Sequence, residues 1–171
     1  MSGRRIFNLT SGVGRLELNN STGNRPSLYL YDEISWFGVT AADFVAELAD
    51  LGGVDFNLYV NSPGGDVFEG LAMLNSLRAY PGTVTAVVDG VAASAASFIL
   101  MGADEVVMNR NTELMIHDAW GMCLGNAADM RDMAATLDKG SDNIADVYVS
   151  KAGKDVAYWR DQMKAEAWYS P

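Results

Sequence analysis

The sequence predicts an α/β fold built around a largely parallel sheet. From residue 54 onward, β-branched and apolar runs alternate with segments whose apolar residues recur at helical spacing, a pattern typical of repeated βαβ units. No internal repeat and no Pro- or Ser-rich linker divides the 171 residues, so a single domain over residues 1–171 is expected. A chain of this length buries about two-thirds of its unfolded surface, so its core needs no disulfide or metal.

Turns rich in Asn, Ser, Gly and Pro divide the first 34 residues into strand-like segments. The predicted strands of this region are residues 5–9, 13–18 and 27–34. Thr40 has the side chain preferred at helix N-caps and predicts a helix over residues 41–51 that ends at Gly52 and Gly53. We therefore expect about 25 N-terminal residues to form a β extension of the domain.

Strands and helices alternate over the remaining chain. The predicted strands are residues 54–61, 83–88, 105–108 and 113–117, and the predicted helices are residues 66–80, 93–102, 127–152 and 155–164. The longest helix carries one apolar stripe, formed by Met130, Met133, Leu137, Ile144 and Tyr148. Sites of parallel sheets lie at the carboxyl ends of strands. Three such ends stand out, at Asn61, Asp89 and His117.

Composition excludes several kinds of site. Twelve Lys and Arg against 22 Asp and Glu give a net charge of −10, so neither nucleic acid nor a membrane is an expected partner. The start of the chain lacks the apolar segment of a secretory signal, and a cytoplasmic protein is expected. Cys123 and His117 are each the only residue of their kind, which excludes a disulfide, a thiolate zinc site and a metal site with two imidazoles. No metal or cofactor is expected.

Two of these strand ends carry candidate catalytic side chains: Ser94 follows the end at Asp89, and the sole histidine forms the end at His117. His117 closes the predicted strand 113–117, where a hydrogen-bonded structural histidine is the simpler interpretation. Ser94 lies in Gly-Val-Ala-Ala-Ser-Ala-Ala-Ser-Phe (90–98), whose alanines allow close backbone approach around a hydroxyl. Ser94 is either a nucleophile or an N-cap that bonds the N–H of Ser97. Ser97 is a rival nucleophile, but one turn further along it is expected to bond a carbonyl within the helix.

The remaining strand end, at Asn61, leads into a glycine pair in the segment Asn-Ser-Pro-Gly-Gly (61–65). This segment lacks the Lys and the Ser or Thr of a phosphate loop, so nucleotide binding is disfavoured. Paired glycines at this point form either a plain tight turn or a backbone that approaches a ligand closely. In the second case an exposed N–H group stabilises a developing oxyanion.

A serine and histidine pair also needs a carboxylate that orients the imidazole. Asp118 should face away from His117, because successive strand side chains point to opposite faces of a sheet. Glu113 shares the face of His117 but lies about 13 Å back along the strand. The spacing alone leaves three acids open: Asp129, Asp161 and Glu166.

Three motifs in matching order resemble the proteolytic subunit of the Clp protease (ClpP) and its relatives. They are Asn-Ser-Pro-Gly-Gly (61–65), the segment 90–98 and Leu-Met-Ile-His (114–117). Gly-Val-Thr-Ala-Ala-Asp-Phe (38–44) and the segment 61–70 are most similar to the ClpP-like head-maturation proteases of tailed phages and prophages. The similarity extends over about residues 29–171. It implies the crotonase-like ClpP fold, a spiral of βαβ units with the helix from Ala127 projecting as a handle for self-association.

The resemblance also implies a role for each candidate residue. Ser94 matches the nucleophile, His117 the general base and Glu166 the triad acid, although much of the family has Asp at the last position. The family's oxyanion hole maps onto the backbone N–H groups of Gly65 and Ala95. A substrate peptide is expected to lie extended against the loop 121–125 and the backbone after Gly65. The expected substrate-binding residues are Gly64, Asp66, Val67, Gly121 and Gly125.

Two further departures from the family are visible in the sequence. Ala165 stands where ring-forming members often have Arg, so stacked double rings are not expected. The chain also ends at Pro171, where relatives continue through a further helix and strand, and a form shortened relative to the family is expected.

The implied function is that of a serine endopeptidase, a homo-oligomer that associates through the long helix and acts on polypeptides such as phage scaffold or capsid proteins. Three alternatives stay open. The chain is a catalytically silent assembly subunit, an enzyme of the signal-peptide-peptidase type with a Ser-Lys dyad, or a CoA-binding protein of the crotonase fold.

Overall fold

The structure, a computed structural model, describes residues 16–19 and 25–171. The predicted strand 5–9 and the first half of the predicted strand 13–18 lie outside these residues. The described chain forms two compact units. The first unit runs up to Met115 and includes Tyr169–Pro171, and the second unit is Ile116–Trp168.

The first unit contains a sheet in which β1, β2, β3, β4 and β6 are neighbours in that order, and β5 also pairs with β4. The strands are β1 (Leu16–Asn19), β2 (Ser27–Leu30), β3 (Phe56–Ser62), β4 (Val84–Ala93), β5 (Glu105–Met108) and β6 (Glu113–Met115). The β1–β2 pair is antiparallel, and the pairs from β2 to β6 are parallel. The predicted α/β fold with a largely parallel sheet is therefore confirmed. A two-residue strand, β7 (Trp168–Tyr169), lies where the two units meet along the chain.

The helices of the first unit begin and end where local signals place them. In α1 (Ala41–Leu51), the Thr40 side chain accepts from Asp43 N in a capping box, and Gly52 ends the helix with φ +66°. The second helix, α2 (Val67–Arg78), is capped by the side chain of Asp66. The predicted helix 93–102 is shorter, because its first residue belongs to β4 and its last turn tightens to a 3-10 turn. It comprises α3 (Ala95–Ile99) and the turn Leu100–Gly102.

Apolar side chains line up across the parallel strands to form the core. Leu28, Leu58 and Ala86 are register partners on β2, β3 and β4, and all three are fully buried. Phe44 of α1 and Met73 of α2 are also fully buried. Each large apolar side chain removed from water in this way contributes about 1.5–3 kcal/mol. The packed sheet provides a fixed base for the turns at its strand ends.

Several strand limits differ from the prediction: β2 ends at Leu30 instead of residue 34, and β3 begins at Phe56 instead of residue 54. The fourth strand continues to Ala93 instead of ending near residue 88, because its first part pairs with β5 and its last part, Val91–Ala93, pairs with β6. Strand β6 ends at Met115, so the prediction that His117 closes this strand is wrong. At Ile116 the backbone N–H donates instead to the carbonyl of Ala167, at 3.0 Å.

The second unit contains two helices, α4 (Ala127–Ala152) and α5 (Val156–Lys164). Both match their predicted limits within one residue. Only the second half of the predicted apolar stripe on α4 is buried: Ile144 and Tyr148 are buried, whereas Met130 is 44% exposed. From Ala127 to Lys139, no residue of α4 is buried. Among the described residues, no helix combines the length and the apolar character needed to cross a membrane.

Candidate active site

Ser94 lies on the turn between β4 and α3, in the first unit. Its backbone has φ 54° and ψ −124°, a conformation that glycine adopts readily and that L residues avoid. Its N–H donates to the carbonyl of Met115 at 3.0 Å, which fixes the turn against β6. A serine held in a strained strand-to-helix turn is the arrangement known as a nucleophile elbow.

The N-cap interpretation of Ser94 does not hold in the structure, because its side chain makes no capping hydrogen bond. The N–H of Ser97 donates instead to the backbone carbonyl of Ser94, at 3.0 Å. The hydroxyl of Ser97 is used as the sequence predicts: it is buried and donates to the same carbonyl at 2.5 Å. Of the two serines, Ser94 is the one that retains partial exposure.

Gly64 brings the glycine pair into contact with the Ser94 turn. Its φ is +90°, and a Cβ atom there would lie 2.5 Å from the carbonyl oxygen of Ala93 and 2.7 Å from the nitrogen of Ala95. Only glycine fits at this distance. The close backbone approach expected from the sequence is therefore present, and it is made to the two residues that flank Ser94.

Gly65 is exposed and is held by a short parallel bridge to Ile34. The N–H of Ile34 donates to the Gly64 carbonyl at 2.8 Å, and the N–H of Asp66 donates to the Ile34 carbonyl at 2.7 Å. Successive backbone groups of an extended chain point to opposite sides, so the N–H of Gly65 faces away from Ile34. Ala95 begins α3, where an N–H has no acceptor within the helix. Of the two amides expected in the oxyanion hole, that of Ala95 thus follows Ser94 directly, and that of Gly65 belongs to the residue after Gly64, which packs against the Ser94 turn.

Two predicted substrate contacts have structural tasks in the first unit. The side chain of Asp66 accepts from the N–H groups of Phe68 and Glu69 and so caps α2. Its own N–H is used in the Ile34 bridge. Val67 is the first residue of α2 and is half-buried. The main-chain N–H of Asp66 is therefore occupied by the bridge to Ile34, whereas the role of Val67 in substrate binding stays a prediction.

His117 lies in the second unit, two residues beyond the end of β6, and is half-buried. It lines a pocket of about 490 Å³. The other lining residues include Asp118, Trp120, Met163, Lys164 and Glu166. Of the three acids that spacing left open, Glu166 is the one that shares this pocket with the histidine. Asp129 instead accepts from the N–H of Asn126 in the capping box of α4.

Glu166 has an unusual backbone for its residue type. It follows the end of α5 with φ 50°, and the N–H groups of Glu166 and Ala167 donate to the carbonyls of Met163 and Gln162. This is a Schellman motif, whose left-handed position is usually glycine. Of the four described non-glycine residues with positive φ, two are Ser94 and Glu166. Strain of this kind concentrates at functional sites.

The prediction for Asp118 is partly wrong. Strand alternation placed it away from the histidine, but the strand ends at Met115 and Asp118 also lines the pocket. Its carboxylate is engaged by Arg160, whose Nη1 lies 2.8 Å from Oδ1. One of the two carboxylate oxygens of Asp118 is therefore engaged by a guanidinium.

Sequence reasoning missed Arg160, whose guanidinium also contacts Asp138 and Asp142. One signal for it was present. Two aspartates spaced four residues apart on a helix repel each other unless a cation lies between them. Asp138 and Asp142 have this spacing on α4.

The loop 121–125 is exposed, as a substrate-binding wall requires. Gly121 and Gly125 are both exposed, and the apolar side chains between and beside them are strongly exposed. Trp120 is 71% exposed, Met122 89% and Leu124 fully exposed. In the described part of the chain, no group of three His, Cys, Asp or Glu side chains is placed to hold a metal ion.

Comparison with known proteins identifies the family of this chain. Residues 25–171 match the Clp protease family. The chain belongs to the Clp protease family. It is 31% identical over 96 residues to the ATP-dependent Clp protease proteolytic subunit of Deinococcus radiodurans, which covers 55% of this chain and 47% of that protein. It is 30% identical over 102 residues to the subunit of the same name from Pleurastrum terricola, with coverage of 58% and 52%. The chain thus spans about half the length of these curated relatives.

Replacement of Gly65 tests whether the backbone N–H of this residue stabilises an oxyanion. A Cβ atom at this position would lie 2.0 Å from the Ile34 carbonyl oxygen, so Gly65→Ala must displace the bridge to Ile34 and, with it, the N–H of Gly65 that is expected to bind the oxyanion. Loss of one oxyanion donor lowers the rate about 10²–10³-fold, and we expect that loss in the hydrolysis of a fluorogenic peptide. Gly52→Ala is the matched control, because its φ is +66° but its Cβ would meet nothing within 4 Å. Equal losses in the two variants would contradict the assignment.

Proposed function

We propose that this chain is a serine endopeptidase of the Clp type, with Ser94 as nucleophile, His117 as general base and Glu166 as the residue that orients the imidazole. The observation that carries the proposal is the strained Ser94 turn, with φ 54°, packed against the backbone of Gly64. Family membership supports peptide-bond hydrolysis. The shared pocket of His117 and Glu166 supports their pairing.

The proposed reaction runs through an acyl-enzyme. The Oγ atom of Ser94 attacks the scissile carbonyl carbon while His117 accepts the hydroxyl proton. The N–H groups of Gly65 and Ala95 stabilise the negative charge on the carbonyl oxygen. His117 then gives its proton to the leaving amine, and water, activated by the same imidazole, hydrolyses the ester to regenerate Ser94.

The proposed substrate is an extended polypeptide that pairs with the main chain near Gly65 and with the loop 121–125. Within this class we propose phage scaffold or capsid proteins, on the basis of the motifs at 38–44 and 61–70. We further propose a homo-oligomer that associates through α4. The first half of that helix, which has no buried residue, supports this role.

Labelling with a fluorophosphonate followed by peptide mapping tests the proposal. The probe forms a covalent adduct only with an activated serine, and we expect the adduct on the peptide that contains Ser94. Both Ser94 and Ser97 lie in one stretch, so fragmentation must place the adduct on one of them. An adduct on Ser97 would reject Ser94 as the nucleophile, and no adduct in a folded protein would favour the silent assembly subunit.

A further inference from the structure

Arg160 makes three ion pairs of unequal character within the second unit. Its guanidinium lies 2.8 Å from Asp118, 3.1 Å from Asp142 and 3.4 Å from Asp138. The Arg160 side chain is 12% exposed, and those of the three aspartates are 32%, 64% and 77% exposed in the same order. Because charge pairs strengthen as they leave water, the contact with Asp118 is the strongest of the three.

The segment that begins with His117 belongs to no strand or helix, so other contacts must hold it. On one side of His117, Ile116 N–H donates to the Ala167 carbonyl at 3.0 Å. On the other side, Asp118 pairs with Arg160, and Ala119 N–H donates to the Oγ of Ser141 at 3.0 Å. Hydrogen bonds and an ion pair therefore fix the backbone immediately before and after the histidine.

The same contacts join the two walls of the pocket. Arg160 lies on α5, and that helix leads directly into Glu166. Asp118 directly follows His117 in the chain. The Arg160–Asp118 pair consequently spans from the segment of the base to the helix that precedes the acid. The Ile116–Ala167 hydrogen bond spans the same two segments on the opposite side of His117.

We propose that Arg160 is a positioning residue for His117, acting through its ion pair with Asp118. This inference rests on the proposed function, in which His117 is the base and Glu166 its orienter. The pair sets the separation of imidazole and carboxylate across the pocket. The contacts of Arg160 with Asp138 and Asp142 attach it to α4 and contribute to stability alone.

Single aspartate variants separate positioning from stability. Asp118→Ala and Asp142→Ala each remove one partner of Arg160, but only the first releases the segment next to His117. We expect Asp118→Ala to lower kcat about tenfold with KM within about twofold, since small misplacements of a catalytic group cost rate rather than binding. Asp142→Ala should leave kcat and KM unchanged. Asp118→Asn should restore most of kcat, because its Oδ1 still accepts from Arg160.

The sole histidine of the chain gives a spectroscopic readout of the same effect. In protein labelled with ¹³C at histidine Cε1, one imidazole signal is expected, and it belongs to His117. Asp118→Ala should shift or broaden this signal, whereas Asp142→Ala should leave it in place. If Asp118→Ala does not fold, Arg160→Lys replaces it, since one ammonium cannot engage three carboxylates in the guanidinium geometry.

Equal kinetics and an unchanged imidazole signal in folded Asp118→Ala would overturn the positioning role and leave the proposed function intact. An equal loss of kcat in Asp142→Ala would also overturn it, because the effect would then follow stability. Failure of the proposed function has a different signature. In that case His117→Ala would retain the wild-type kcat, and the wild-type protein would not react with fluorophosphonate.

Discussion

Ser94→Ala is expected to lower the hydrolysis of an unfolded polypeptide such as casein by about 10⁴-fold or more. It should also abolish covalent labelling by a fluorophosphonate, since the attacking oxygen is removed. The fold should persist, because the Ser94 side chain makes no helix-capping bond and its backbone N–H still donates to Met115. Hydrolysis and labelling are measured together with thermal unfolding of the same preparation.

The strained turn provides a second measurement on the same residue. Because Ser94 has φ 54°, Ser94→Gly should relieve left-handed strain and raise the free energy of unfolding by about 1 kcal/mol, while activity is lost. Ser97→Ala is the control. It removes a buried hydrogen bond to the Ser94 carbonyl and should cost about 1 kcal/mol of stability while labelling persists. Wild-type labelling of Ser94→Ala would remove Ser94 from the nucleophile role.

Glu166→Gln is expected to lower kcat by up to about 10⁴-fold, because an amide that replaces the triad carboxylate favours the wrong imidazole tautomer. The side chain keeps its shape, so unfolding should be little changed. Asp161→Asn is the matched control, since it removes one exposed carboxylate from α5, the helix that precedes Glu166. The rate of acyl-enzyme formation with a fluorogenic ester or peptide is the measurement.

Glu166→Gly separates the task of the carboxylate from that of the backbone. Glycine is the preferred residue at the left-handed position after a helix, and Glu166 has φ 50° there. We therefore expect stability to rise by about 0.5–1 kcal/mol while kcat falls as in Glu166→Gln. Wild-type kcat in both variants, or a larger loss in Asp118→Asn, would reject Glu166 as the orienter.

Signals within a few residues were sufficient for most of the fold. Thr40 and Gly52 delimit α1 as predicted, since a capping side chain and a left-handed glycine act on adjacent backbone groups. The strand β5 was also predicted with its observed ends. The end of β6 at Met115 was not predictable, because strand limits depend on pairing between residues far apart in sequence, and no pattern along the chain records that pairing.

The candidate site, like the fold, could be predicted from the sequence only in part. The residue types and their order, Ser94 with its small neighbours, the glycine pair and the sole histidine, were sufficient to propose a nucleophile, an oxyanion site and a base. Spacing could not choose among three acids, because the choice depends on which carboxylate shares a pocket with His117. Glu166 does so in the structure.

By itself, the sequence determined the α/β class and the limits of most helices and was sufficient to propose residues for acyl transfer, since these follow from local propensity and side-chain chemistry. Only the tertiary structure decided that Gly64 packs against the Ser94 turn, that Glu166 takes a position suited to glycine, and that Arg160 holds Asp118. The contacts of Gly64 and Arg160 join residues distant in the chain, and their distances are set by packing rather than by any pattern along it.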